Sequence, residues 1–355
     1  MEIYQGLAHI PRHPWVKHIP LGDAAREWAE QNLVPDAGLN LPPDVARQTI
    51  EYVLKVVGQN TWDKESAERW LGYVADNLKD LGRPGLQSGL SIPYPTLEDP
   101  PEHRDMPKQN RSMAVMRGLI QRGGQDVFVP WSAATAESRD FIIAIDDCIH
   151  TGSTIIRGLN HWIEAGRYKS GFQVVLVALS AHEEGLDRIE KWVSARGGYV
   201  GKRIGRVIKL RGVADGSRFP WSLVPGSDLE RLAMNCSESR EYLATVAGAI
   251  SSNTVKPSLD TDAPSPEDSV GAFGLLLLSI RAFKVFSKAW SRTGYIAPMG
   301  YFSPHLAYHN PLGFGSPFTS WFNIPNTAPL AIWTKPLRSR SLFYRSNEHR
   351  KVREP

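Results

Sequence analysis

FIIAIDDCIHTGST, residues 141–154, decides the fold class of this chain. Phe141 to Ile145 is an unbroken apolar run, the pattern of a β-strand covered on both faces. Two adjacent acids, Asp146 and Asp147, end it, and Thr151-Gly152-Ser153-Thr154 opens a segment with helical periodicity. That segment runs from Thr154 to Ala165, with Ile155, Leu159, Trp162 and Ile163 inward and Gly166 as its stop. Phe172 to Leu179 reads as a second buried strand, Glu183 to Arg196 as a second helix, and Val200 to Leu210 as a further strand. Strand and helix alternating in this way predict an α/β domain with a mainly parallel sheet flanked by helices.

Upstream, Asp126–Pro130 is a short strand candidate and Arg111–Arg122 a helix. Residues 84–110, rich in proline and charge, read as loop. Before them come two amphipathic helices. Pro43 opens the first, with Ile50, Val53, Leu54 and Val57 as its apolar stripe. The second spans about Asp63 to Leu81, with Ala67, Trp70, Leu71, Val74 and Leu78 on one face. Together with a helix near Asp23–Asn32 they form an expected small helical N-terminal unit, residues 1–82. The α/β domain is then expected over 83–335. Residues 251–269 have the composition of a linker or surface insertion, and a buried helix begins at Gly271.

The chain has 355 residues and only two cysteines, Cys148 and Cys236, which excludes a disulfide framework and fits a reducing cytoplasm. The apolar run from Gly271 to Ile280 is about half of the roughly 20 residues a membrane span needs, and the N-terminus lacks a signal-peptide pattern, so a cytoplasmic protein with no membrane partner is expected. The net charge of +4 is concentrated at the C-terminus. Residues 335–355 carry seven Lys or Arg against two Glu, which leaves the rest of the chain at −1. The tail, 336–355, reads first as a solvated segment and second as an anchor for nucleic acid or another anionic or protein partner.

The chemistry is expected at the junction of strand and helix. Ligands of open α/β sheets collect at the carboxyl ends of parallel strands. A helix N-terminus offers backbone N–H groups and a partial positive charge. Gly152 lets the backbone approach a ligand, and Thr151, Ser153 and Thr154 add hydroxyls, which makes a phosphate cradle without a lysine. Two acids beside it would repel a phosphate but would accept hydrogen bonds from a diol. The pattern as a whole describes a ribose 5-phosphate site. A receiver or HAD-type phosphoacceptor is the rival, but HAD chemistry wants acids two apart so that both face one Mg2+. Cys148 reads as core packing.

The stretch from Phe141 to Thr154 resembles, without a gap, the PRPP-binding signature of the type I phosphoribosyltransferases. A second stretch, Asn323 to Trp333 (NIPNTAPLAIW), resembles the ending of a divergent bacterial branch, the PRTase-CE family of conflict systems. The resemblance implies a type I phosphoribosyltransferase-like fold and a glycosyltransferase that moves a 5-phosphoribosyl group from PRPP to an unknown acceptor, with release of diphosphate. It also implies a role in anti-phage or inter-element conflict. Asp146 and Asp147 would hold the ribose hydroxyls as the catalytic pair, and His150, Thr151, Gly152, Ser153 and Thr154 the 5-phosphate. Mg2+ would bind through the ligand, with no direct protein ligand.

Arg104, Lys108 and Arg111 are candidate diphosphate contacts and, more plainly, surface charges. His182, Glu183 and Glu184 follow the second strand at the same sheet edge and are candidate acceptor contacts or simple helix caps. Asn326 and Trp333 are candidates for holding a lid, though an aromatic there is more often core. Neither the flexible basic loop nor the diphosphate loop of that superfamily is recognisable, and only residues 132–140 separate the two strands read as central. The alternatives to an enzyme are a PRPP- or nucleotide-sensing module without turnover and a scaffold in a defence complex.

Overall fold

The computed structural model describes residues 43–62, 64–79, 94–98, 112–121, 128–133, 141–166, 170–207, 266–289, 296–301, 313, 315, 316, 318–320 and 327–333. The expected helix near Asp23–Asn32, residues 251–265 of the expected linker, Arg104, Lys108, Arg111, Asn326 and the basic tail lie outside them. The described residues divide into two compact units, one within residues 62–207 and the other within residues 43–61 and 266–333.

In the first unit five parallel strands form one sheet. They are β1 (Tyr94–Thr96), β2 (Phe128–Pro130), β3 (Phe141–Ile149), β4 (Gln173–Ala181) and β5 (Tyr199–Val207). Their order is β2-β1-β3-β4-β5. Strands β3 and β4 fall where the apolar runs Phe141–Ile145 and Phe172–Leu179 place them, because such runs can be covered on both faces. Strand β5, with Lys202, Arg203 and Arg206, has no such run and overlaps the stretch read as a further strand. The element read as loop is β1. It is three residues long and contains Pro95, too short and too interrupted to show a period of two. It nevertheless lies inside the sheet, its neighbourhood tied by Thr96 Oγ1 donating to the Val129 carbonyl at 3.1 Å and Leu97 N donating to the Ile143 carbonyl at 2.7 Å. So β2, read as a central neighbour of β3, is an edge strand separated from it by β1.

Helices α2 (Lys64–Lys79), α3 (Ser112–Gln121), α4 (Ser153–Glu164) and α5 (Glu183–Ser194) belong to this unit. Both α4 and α5 bury one stripe each against β3 and β4: Ile155, Ile156, Leu159 and Trp162 from α4, and Leu186, Ile189 and Val193 from α5. Trp162 meets Phe172 edge to face at 5.3 Å between ring centres, an arrangement favoured by the ring quadrupoles. The stripe of α2, Ala67, Trp70, Leu71 and Val74, is buried as its spacing predicts, and α2 packs on α3.

In the second unit α1 (Pro43–Asn60) packs on α6 (Pro266–Ala289), and α6 also contacts the short α7 (Leu330–Trp333). The buried line of α1 is Val45, Thr49 and Val53, rotated from the expected stripe, with Ile50 and Leu54 only half-buried. Thr49 enters the core because its hydroxyl donates to the Val45 carbonyl at 2.8 Å, which satisfies it within its own helix. Helix α6 starts at Pro266, inside the stretch read as linker, with proline at a position where its missing N–H costs nothing. A hairpin of β6 (Ile296–Ala297) and β7 (Gly300–Tyr301) lies in the same unit. Trp333 is buried, its indole N–H donating to the Ala328 carbonyl at 2.9 Å, so this tryptophan is core, as expected.

Candidate functional site

Strand β3 runs four residues beyond its apolar stretch and carries both acids within the ladder, Asp146 opposite Ala178 and Cys148 opposite Ser180. Because β3 and β4 are parallel and in register to their ends, His150 and His182 follow immediately on neighbouring strands. The His182 amide donates to the Ile149 carbonyl at 2.7 Å and clamps the two exits together. Asp146, Asp147, His150 and His182 are all buried.

Asp146 Oδ1 accepts two hydrogen bonds, from the Ser112 hydroxyl at 2.8 Å and from the Asp147 amide at 2.9 Å. Ser112 is the first residue of α3, so that helix begins on the acid pair. Burial, and then the neighbouring Asp147 charge, push the Asp146 carboxyl well above its ordinary range, against the lowering effect of Ser112. A proton retained on Asp146 reduces the negative charge of the pair, which removes part of the repulsion that two adjacent carboxylates present to an anionic ligand.

His150 leans on Cys148, Sγ to Nδ1 at 3.0 Å. Cys148 is partly buried, on the same side of the strand as His150, whose ring lies against its sulfur. Burial, then the Asp147 charge, raises the Cys148 thiol. His150 is held down to about 3 by burial and, second, by the facing His182. Neutral thiol beside neutral imidazole is a packed polar pair, not an activated nucleophile.

The turn after His150 is built for close approach. Gly152 takes φ 67° and ψ 0°, left-handed values that favour glycine, and stands as the N-terminal cap of α4. Having no side chain, it gives the first turn of α4 no capping hydrogen bond. A Cβ on Gly152 would come within 2.7 Å of both the Gly185 carbonyl oxygen and Ile189 Cγ1. A Cβ on Gly185 would run into the His150 carbonyl. Turn and α5 therefore meet backbone to backbone. Thr151, Ser153 and Thr154 are half-exposed. The Ser153 amide donates to Thr151 Oγ1 at 3.2 Å, the Thr151 hydroxyl donates to Ser153 Oγ at 2.9 Å, and Arg188 Nη1 donates to the same Ser153 Oγ at 2.8 Å and to the Thr151 carbonyl at 2.9 Å.

The structure thus gathers Asp146, Asp147, His150, Thr151, Gly152, Ser153, Thr154 and His182 at one strand edge. Glu183 is the first residue of α5. Three participants escaped sequence reasoning: Ser112, Gly185 and Arg188. Gly185 did leave a signal, since a glycine inside a helical pattern usually has a packing reason. Arg188 left none.

Mg2+ takes oxygen donors in near-octahedral geometry. Asp146 and Asp147 are oxygen donors of that kind, and one Asp146 oxygen is already committed to Ser112 and the Asp147 amide. Among the described residues no three His, Cys, Asp or Glu side chains converge on a metal position. Among them, too, no helix is long and apolar enough to cross a membrane.

No curated protein and no solved structure matches the chain. The family model PRTase-CE matches residues 108–345, a span that includes β3, the Gly152 turn, α5 and the Asn323–Trp333 stretch. With about two thirds of its length matched, the chain belongs to the PRTase-CE family.

Proposed function

We propose that the chain binds PRPP, or a closely related 5-phosphorylated ribose, at the carboxyl end of β3 and transfers its phosphoribosyl group to an acceptor. The observation that carries this reading is the pairing of a glycine-led helix N-terminus lacking a side-chain cap with an acid pair on the strand that feeds it. First-turn amides of α4 and the hydroxyls of Thr151, Ser153 and Thr154 suit a phosphate. Asp146 and Asp147 suit the ribose hydroxyls. Mg2+ would be held by the ligand's hydroxyls and diphosphate. In the transfer the C1–O bond to diphosphate breaks, a bond from C1 to the acceptor forms, and the acceptor loses its proton. The protein's part is to hold the sugar while positive charge develops at C1. His182 and Glu183, beside the Gly152 turn, are the candidate acceptor contacts, while Arg104, Lys108 and Arg111 remain candidates for the diphosphate.

Both aspartates are buried, Asp146 under Ser112, so a sugar reaches them when that cover shifts. This burial favours a second reading, a module that binds PRPP or a nucleotide without turnover. A part in anti-phage conflict, with the basic tail as a docking element for a protein or nucleic acid, is supported by the family resemblance alone.

The test is a titration of the full chain with PRPP and Mg2+, with diphosphate detected. Binding with diphosphate release supports the transferase, and binding without it supports the sensor. Binding that survives Asp146→Asn combined with Asp147→Asn removes both.

A further inference from the structure

We infer that Arg188, on the second turn of α5, is the cation of the phosphate cradle and sets the preference of this site for a phosphorylated sugar; the inference rests on the ribose-phosphate reading above. The turn itself carries no basic side chain: from Cys148 to Thr154 its donors are amides, hydroxyls and an imidazole. That imidazole, His150, is neutral above about pH 3 and offers no positive charge under ordinary conditions. The positive charge comes from another element. Arg188 lies 37 residues beyond Thr151 in the chain, yet one guanidinium nitrogen donates both to the Thr151 carbonyl and to Ser153 Oγ.

Two features make this more than a loop fastener. First, the hydroxyls it organises form a directed chain. Arg188 Nη1 and the Thr151 hydroxyl both donate to Ser153 Oγ, which leaves the Ser153 hydroxyl proton to be given outward, on the half-exposed side of the turn. An anion accepting that proton would lie one hydrogen bond from an oxygen that is itself 2.8 Å from the guanidinium, on the order of 5 Å from the positive charge. Second, the backbone contact of Gly185 with the turn fixes the first turn of α5, so the position of Arg188 is set by packing and not by a free side chain. One guanidinium nitrogen anchored on two protein acceptors holds the charge in a fixed place behind the turn.

The experiment titrates ribose 5-phosphate into the full-length protein at low and high ionic strength, using the parent, Arg188→Gln and Arg188→Lys, with thermal melts as a check on folding. The parent is expected to bind more weakly as salt rises, because a solvent-accessible charge pair is screened. Arg188→Gln is expected to bind roughly 10-fold more weakly, as for the loss of a charge on the order of 5 Å from the anion, and to lose most of the salt dependence. Arg188→Lys should keep the salt dependence while losing part of the affinity. A Gln variant that weakens with unchanged salt dependence means Arg188 only braces the turn, and that overturns the inference. So does a Gln variant that binds like the parent, or a folded Lys variant whose salt dependence is gone. Parental protein that binds neither ribose 5-phosphate nor PRPP removes the ribose-phosphate reading and this inference with it. Parental binding with an indifferent Arg188 removes this inference alone.

Discussion

Ser112 donates its hydroxyl to Asp146 across a sequence separation of 34 residues, and that bond ties the first residue of α3 to the strand that carries the acid pair. Replacing Ser112 by Ala removes one of the two hydrogen bonds that Asp146 Oδ1 accepts in a buried place. The expected loss in chemical denaturation is about 1–3 kcal/mol, the usual cost of an unsatisfied buried polar group. It should be accompanied by weaker ribose 5-phosphate binding. A Ser112→Ala protein as stable as the parent would show that the bond is incidental.

Gly185 admits no side chain against His150. The Gly185→Ala variant must push the Gly152 turn and α5 apart. Overpacking of this kind costs on the order of 1–3 kcal/mol. Alanine would otherwise favour a helix interior over glycine by about 1 kcal/mol, so the sign of the change is diagnostic. Urea titration should show a loss, and a gain would mean the two backbones are not in contact.

Asp146 gives a pH signature. Its carboxyl is held above the ordinary range by burial and by Asp147, so the native state keeps a proton that the unfolded chain releases. Native protein then binds more protons, and stability falls as pH rises from the unfolded value, 3.8, through the raised one. Asp146→Asn has no such proton to lose. Its melting temperature should gain on the parent as pH climbs, with the smallest difference near pH 4. A gap that does not vary with pH contradicts the assignment.

His150 acts in the opposite sense. Its value drops from 6.5 to about 3, through burial and the facing His182. Between those limits the unfolded chain takes up a proton that the native imidazole refuses. Stability should therefore decline as pH falls from 6.5 toward 3, at up to about 1.4 kcal/mol per pH unit from this group. In His150→Gln that contribution is gone, and melts compared across pH 4–6 should show a shallower slope. Equal slopes would place His150 in contact with water.

Much of the sheet was legible in advance because buried parallel strands must be continuously apolar, and Phe141–Ile145 and Phe172–Leu179 are. The ends of β3 were not legible. Asp146 and Asp147 look like strand breakers, yet register with Ala178 carries the ladder on to Ile149. Neither was β1, whose three residues are too few to show any period. Helix existence was readable from the i, i+3, i+4 spacing, but partnership was not. Val45, Thr49 and Val53 face α6 and Ala67, Trp70 and Val74 belong with α3, and no local pattern encodes which distant surface will cover a stripe. At the site the same division holds. The TGST turn and the acids were visible because they are contiguous, while Ser112 and Arg188 reach it from other elements and leave no trace in spacing.

The bare meeting of Gly152 and Gly185 has a mechanical meaning. The first turn of α5 bears on the Gly152 turn through its backbone, with the Ile189 side chain beside it, so the two segments have little room to shift independently. A change in the position of Gly185 would therefore be felt at the peptide planes from His150 to Ser153.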